Sequence, residues 1–143
     1  MRLKFTKMQS CGNDYIYFDC FDQRIDNPEG LSLRLSDRHY GIGADGVVLI
    51  RRSDVADAKM RIFNLDGSEG KMCGNAARCI AKYMIDNKMV NKDSVAIETL
   101  SGIRETVCEK VSGLVSTVTV NMGKAELNPS LIPVKMSLRS VIG

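Results

Sequence analysis

The segment from Cys73 to Asn87 constrains this chain more than any other. Ala77, Ile80, Ala81, Met84 and Ile85 recur at the i, i+3, i+4 spacing of a helix. With Ala76 added, much of the circumference is apolar, so the rest of the chain must cover this helix deeply. What remains to cover it reads mostly as strand. Leu3, Phe5 and Met8 begin one, Tyr15–Phe18 form a second, and Val47–Ile50 and Met60–Phe63 are short apolar runs. Val95–Thr99 and Ile103–Cys108 flank Leu100-Ser101-Gly102 and read as a hairpin. The last strand alternates, with Val115, Thr117, Thr119 and Asn121 expected on one face and Ser116, Val118, Val120 and Met122 on the other. A second helix starts at Asn27-Pro28-Glu29, a cap candidate followed by proline at the first position. It is expected to run to Gly41, with Leu31 and Leu35 on one face and Arg38 and His39 in its last turn. Strands flanking two helices, without regular βαβ alternation, make the class α+β.

Composition excludes several roles. The net charge of +3 is scattered, with no basic block interleaved with aromatics, which argues against nucleic acid. No run of apolar residues is long enough to span a membrane. The start MRLKFTKMQSC carries no apolar core of a secretory signal, so the cytoplasm is the default location. Five cysteines, an odd number without CxxC spacing, and the single His39 argue against both disulfides and a metal site. Most of these cysteines are expected to be small buried hydrophobes, Cys79 among them.

Cys73 is different because it stands at the mouth of the helix. Unpaired N–H groups and the macrodipole there favour negative charge and lower a cysteine pKa from about 8.5 towards neutrality. The same amides can hold a carboxylate. Gly74 clears side-chain bulk from that point, and Asn75 is a candidate cap. A basic thiolate beside a carboxylate pocket suits the removal of the α-proton of an amino acid. Residue types alone leave this reading open beside that of an inert buried cysteine. By spacing, Asn13 and Asn64 are turn residues that end strands. Arg78 and Lys82 read as a solvated helix edge, and His39 as a helix-end cation or a capped surface group. The string Gly41-Ile42-Gly43-Ala44-Asp45-Gly46 matches GxGxxG, but it follows a helix and precedes a strand, the reverse of a dinucleotide site. Its glycines serve a tight positive-φ connection, and Asp45 is a turn former or a partner for backbone N–H groups.

Four segments in order carry a resemblance: Phe5–Met8 with Cys11–Asp14, Asp37–Gly46, Arg61–Glu69, and Met72–Cys79. Over roughly the first 120 residues the chain resembles diaminopimelate epimerase. The resemblance implies a curved mixed sheet wrapped around a central helix, as one of two pseudo-symmetric domains. It implies epimerisation of LL-diaminopimelate to the meso form by two cysteines flanking the α-carbon, without pyridoxal phosphate, other cofactor or metal. It makes Cys73 one of the two acid/base thiols, with Gly74 and Asn75 offering amides and Asn13 and Asn64 acting as substrate ligands. On this reading residues 1–120 are the N-terminal epimerase-like domain, and 121–143 are the crossover and truncated start of the second. Residues 124–135 resemble the crossover, and Met136–Gly143 matches nothing in the family. The family forms homodimers, and the absent second half, with its own catalytic cysteine, is the natural partner, so the chain is expected to be inactive alone. It departs from the family at Ala76 and Ser10, where glycine is usual, and at Gly46, where some members place a glutamine ligand. Other racemases of the same fold, such as proline-racemase-like proteins, and a non-catalytic remnant binding a small amino acid or partner chain are the competing readings.

Overall fold

The structure, a computed structural model, describes residues 2–132. The end of the expected crossover and all of Met136–Gly143 lie outside the described residues. The elements in chain order are β1 (Thr6–Ser10), β2 (Asn13–Asp19), α1 (Pro28–Leu35), β3 (Gly46–Arg51), β4 (Ala58–Asn64), β5 (Glu69–Gly70), α2 (Gly74–Asp86), β6 (Ser94–Thr99), β7 (Gly102–Val111) and β8 (Leu114–Val120). They form one mixed sheet in the order β1-β2-β3-β4-β6-β7-β8, with β5 also paired to β4. The β2–β3 and β4–β6 pairs are parallel and the rest antiparallel. Both end strands, β1 and β8, touch α2, so the sheet curls around that helix.

The two faces of the central strands explain their unbroken apolar runs. Tyr15, Tyr17, Val48, Ile50, Met60 and Ile62 point towards α2 and join Ala77, Ile80, Ala81 and Met84 in the main core. The alternate residues Ile16, Phe18, Val47, Leu49 and Phe63 form a second core on the opposite face, closed by Leu31 and Leu35 of α1. A strand buried on both faces reads as continuous rather than alternating hydrophobicity. The all-round apolar character of α2 is explained too, because Ala76, Ala77, Ile80 and Ala81 are all fully buried.

Several local expectations are corrected. The first helix stops at Leu35 with Ser36 as its C-cap, well before Gly41, and its last-turn cation is Arg34. The N–H groups of Ile42 and Gly43 both return to the Leu35 carbonyl, so Arg38 and His39 belong to a tight turn after the helix. Gly43 in that turn has the expected positive φ, 81°. The first strand begins at Thr6 rather than near Leu3. The two-residue β5 had no counterpart in the sequence reading. The alternation of β8 also slips. Glu109 pairs with Thr117 but Lys110 pairs with Val115, leaving Ser116 as the extra residue of a bulge. Val115 is therefore inward together with Val118 and Val120, which strict alternation placed on the opposite face. Of the five cysteines only Cys79 and Cys108 are buried, and Cys11 is exposed at the β1–β2 turn.

Candidate active site

One end of the sheet gathers the chain's polar chemistry. β2 and β3 start there, β1 and β4 end there, and α2 points its N-terminus at the same place. The β1–β2 turn is made by Cys11 and Gly12, both at positive φ (54° and 80°), which sets Asn13 as the first residue of β2. Period 2 along the strand then puts Asn13, Tyr15 and Tyr17 on the face that meets α2.

Cys73, not Asn75, is the N-cap of α2. Its backbone is extended, and its Sγ accepts the Ala76 N–H at 3.5 Å. Asn75 is thereby freed to face Asn13, and its Nδ2 donates to Asn13 Oδ1 at 3.1 Å. The Cys73 thiol reaches the same oxygen at 3.5 Å. On its other side Asn13 donates from Nδ2 to Asp45 Oδ2 at 2.7 Å. Asp45 also accepts the Asp14 backbone N–H and a guanidinium N–H of Arg38, which bears out its reading as a partner for backbone amides. Tyr15 is buried against Cys73 and Asn13. Burial, reinforced by charge on the neighbouring Cys73, pushes its hydroxyl up to about 12, so it stays a neutral donor at neutral pH. Burial raises the Cys79 thiol, as befits a core residue.

Arg78 and Lys82 are not a solvated edge. Both are half-buried. Arg78 donates to Ser10 Oγ at 2.9 Å and to Asn75 Oδ1, and its guanidinium also reaches Cys11 Sγ at 3.6 Å. Lys82 donates to Asp86 and to the Val115 carbonyl, tying α2 to β8. Serine at position 10 therefore has a job of its own, and the Ala76 methyl is buried in the core. At Gly46 a Cβ would come within 2.1 Å of the Phe63 carbonyl oxygen, so a side chain there needs a different β3–β4 backbone. At Gly74 a Cβ would lie 3.2 Å from Met122 Sδ, so glycine lets Met122 close over the start of α2.

The sequence-predicted residues divide accordingly. Asn13, Cys73, Gly74 and Asn75 come together. The Asn64 side chain lies in the β4–β5 turn at the same end of the sheet, donating to Ser68 Oγ at 3.0 Å, and its backbone pairs with Gly46. Ser32 of α1 anchors that corner by donating to the Asn64 carbonyl at 2.8 Å. Tyr15 and Arg78 were missed as site residues. The signals were available: Tyr15 is two residues from Asn13 on a strand, and Arg78 is one helical turn from Asn75. Among the described residues no group of three or more His, Cys, Asp or Glu side chains is gathered to hold a metal, and no helix is long and apolar enough to cross a membrane.

Known proteins match this chain at two levels. Two solved structures share its fold at 18% identity. A methylitaconate-delta-isomerase aligns with a TM-score of 0.66 over 80% of this chain and 36% of that one. A hydroxyproline epimerase from Agrobacterium vitis aligns with a TM-score of 0.60 over 81% and 40%. Sequence relatives are much nearer. A diaminopimelate epimerase of Methanococcus maripaludis strain C5 is 52% identical over 140 residues, covering 98% of this chain and 50% of its own length. One from Acetivibrio thermocellus is 50% identical over 132 residues, covering 92% and 47%. The chain thus spans about half the length of the curated relatives it matches. The family model of diaminopimelate epimerase matches residues 5–128, which contain every residue of the site. This chain belongs to the diaminopimelate epimerase family.

Proposed function

We propose that this chain is the N-terminal half of a diaminopimelate epimerase and supplies one of its two acid/base thiols, Cys73. Residues 1–120 are its domain, and 121–143 lead into the other half. The observation that carries the reading is Cys73 Sγ at the N-cap of the central helix, with the Ala76 N–H on one side and the Asn13 amide on the other.

As a thiolate, Cys73 takes the α-proton and becomes S–H. The electron pair stays on the α-carbon and spreads into the carboxylate. A thiol from the second half returns a proton to the opposite face. The α-proton is weakly acidic, so the carbanion needs strong support. The first-turn N–H groups of Gly74 and Asn75 have no intrahelical acceptor and supply preorganised donors for the carboxylate. Asn13 and Asn64 contact the polar ends of diaminopimelate. Pyridoxal phosphate, other cofactors and metals take no part. Five free cysteines suit the reducing cytoplasm, where the reaction would serve lysine and cell-wall synthesis. The second half is the natural partner, and the complete enzyme is a homodimer, as the family implies.

The test is solvent deuterium exchange at the α-carbon of diaminopimelate, with stereochemistry read by chiral separation. The chain alone is expected to give at most slow exchange with retention, abolished by Cys73→Ala. Mixed with the separately expressed second half of the Methanococcus maripaludis relative, it is expected to interconvert the LL and meso forms. Full interconversion by the chain alone, lost on Cys73→Ala, would mean that a second base lies in a residue assigned here to structure.

A further inference from the structure

The polar contacts beside Cys73 form a chain with an unambiguous direction. Arg78, which can only donate, gives a hydrogen bond to Asn75 Oδ1. Asn75 Nδ2 donates to Asn13 Oδ1 at 3.1 Å, and Asn13 Nδ2 donates to Asp45 Oδ2 at 2.7 Å. Asp45, which as a carboxylate can only accept, ends the chain, and Arg38 donates to its other oxygen at 3.0 Å. An asparagine amide can ordinarily turn over and exchange its oxygen for its nitrogen. Here a donor-only cation stands at one end and an acceptor-only anion at the other, so neither amide can turn without losing hydrogen bonds. The oxygen of Asn13 must therefore face the Cys73 sulfur, 3.5 Å away.

We infer that Asp45 is a positioning residue for Cys73: by fixing the Asn13 amide with its oxygen towards the sulfur, it gives the S–H group an acceptor and so sets the thiol to give a proton as well as take one. This rests on the proposed function only for its meaning in the reaction. An acceptor beside a thiol stabilises the protonated form, whereas the Ala76 N–H and the start of α2 stabilise the thiolate. A thiol that must be acid in one direction and base in the other needs these effects balanced, because proton transfer is efficient when both forms are accessible. Without Asp45 only Asn75 holds the Asn13 amide, while Arg38 and the Asp14 N–H lose their acceptor; an amide turned over to meet them points its N–H groups at the sulfur and tips the balance towards the thiolate. The other titratable groups near Cys73 are Tyr15 and Tyr17 from β2 and Cys79 from α2. Tyr15 and Tyr17 are held neutral by burial, and Cys79 is raised by it.

The experiment is alkylation of the reduced 143-residue chain by iodoacetamide across pH, with the Cys73 peptide quantified by mass spectrometry. Asp45→Ala, which removes the acceptor altogether, is expected to move the Cys73 profile to lower pH, giving roughly tenfold faster labelling near neutrality if the shift is about one pH unit. Removing a negative charge would also do this, so Asp14→Asn is the control. Asp14 shares Arg38 with Asp45 but makes no side-chain bond to the Asn13 amide. The shift from an amide that turns survives about 1 M KCl, whereas a purely Coulombic shift is screened away. An unchanged profile, a shift abolished by salt, or an equal shift in Asp14→Asn would overturn the assignment. A second readout needs no Asp45 variant and so does not depend on its folding. In the infrared difference spectrum between the unaltered chain and Cys73→Ser, the Cys73 S–H stretch is expected below that of a free thiol, because it donates to an amide oxygen. An unshifted band, or no S–H band at mildly acidic pH, overturns the proposal. Both readouts use the chain without substrate, so they stand or fall apart from the deuterium-exchange test of the function.

Discussion

At the scale of single residues, the site is held by ion pairs between side chains that lie apart in the chain. Asp14 follows Asn13, and Arg38 grips it through both nitrogens at 2.7 and 3.2 Å while Lys7 approaches at 2.9 Å. The Arg38 guanidinium, assisted by Lys7, holds the Asp14 carboxyl well below the usual carboxylate range. A folded-state pKa that is depressed contributes stability above the unfolded value of about 3.9 and loses it as pH falls through the folded value. Asp14→Asn is therefore expected to cost about 1 kcal/mol near neutral pH, discounted because Arg38 is more than half exposed. The difference should begin to shrink below about pH 4, where the unfolded chain takes up the proton, and close only in much stronger acid, where the folded wild type is protonated too. Urea unfolding of both chains across this range checks it, and a difference that persists undiminished in acid would refute the ion-pair account. These pairs join residues 24 and 7 positions apart. Arg38 and Asp14 each sit in a turn-rich stretch, and no local periodicity links them. That is why composition and pattern disclosed the polar turns but not which charges meet.

At the scale of elements, the sequence was readable where burial follows a simple period and opaque where the backbone departs from one. The central helix and the doubly buried β2 and β3 were legible because their apolar residues have one explanation each. The end of α1 was misplaced because Arg38, His39 and Gly41 look like a helix terminus. In fact a turn spends Gly41 on close contact, where a Cβ would lie 2.5–2.8 Å from three carbonyl oxygens. The bulge in β8 was invisible because Val115–Met122 alternates well in either register. That bulge makes an unusual forecast. Deleting one residue from a strand normally turns every later side chain to the other face. Deleting Ser116 removes the extra residue itself, so Val115, Val118 and Val120 all stay inward on a regular strand. The deletion is expected to move the melting temperature by only a few degrees, about 1 kcal/mol or less. Deleting Thr119 instead sends Val120 outward and should cost clearly more. Calorimetry on the two deletions decides the matter, and equal losses would show that the bulge carries twist the fold requires.

At the scale of the whole molecule, the curled sheet closes its core on two sides but leaves an apolar rim around the site. Tyr40, 96% exposed, stands in the turn before β3, and Leu65 in the β4–β5 turn. Leu100 follows β6, and Met122 follows β8 beside Gly74. The parallel and antiparallel pairings bring all four of these loops to the end of the sheet where α2 begins. Isolated exposed hydrophobics need no explanation, but several around one rim mark a surface that meets another surface. If the second half of the family's architecture covers this rim, the chain without it should self-associate there. Sedimentation velocity over a range of concentrations is expected to show reversible self-association. The double variant Tyr40→Asp with Leu65→Asp should weaken it while leaving the melting temperature within a few degrees, because neither side chain belongs to either core. Adding the separately expressed second half should suppress self-association of the unaltered chain and bind the double variant poorly. A chain that stays monomeric at all concentrations, or a double variant that binds the second half as well as the original, would place the interdomain surface elsewhere on the molecule.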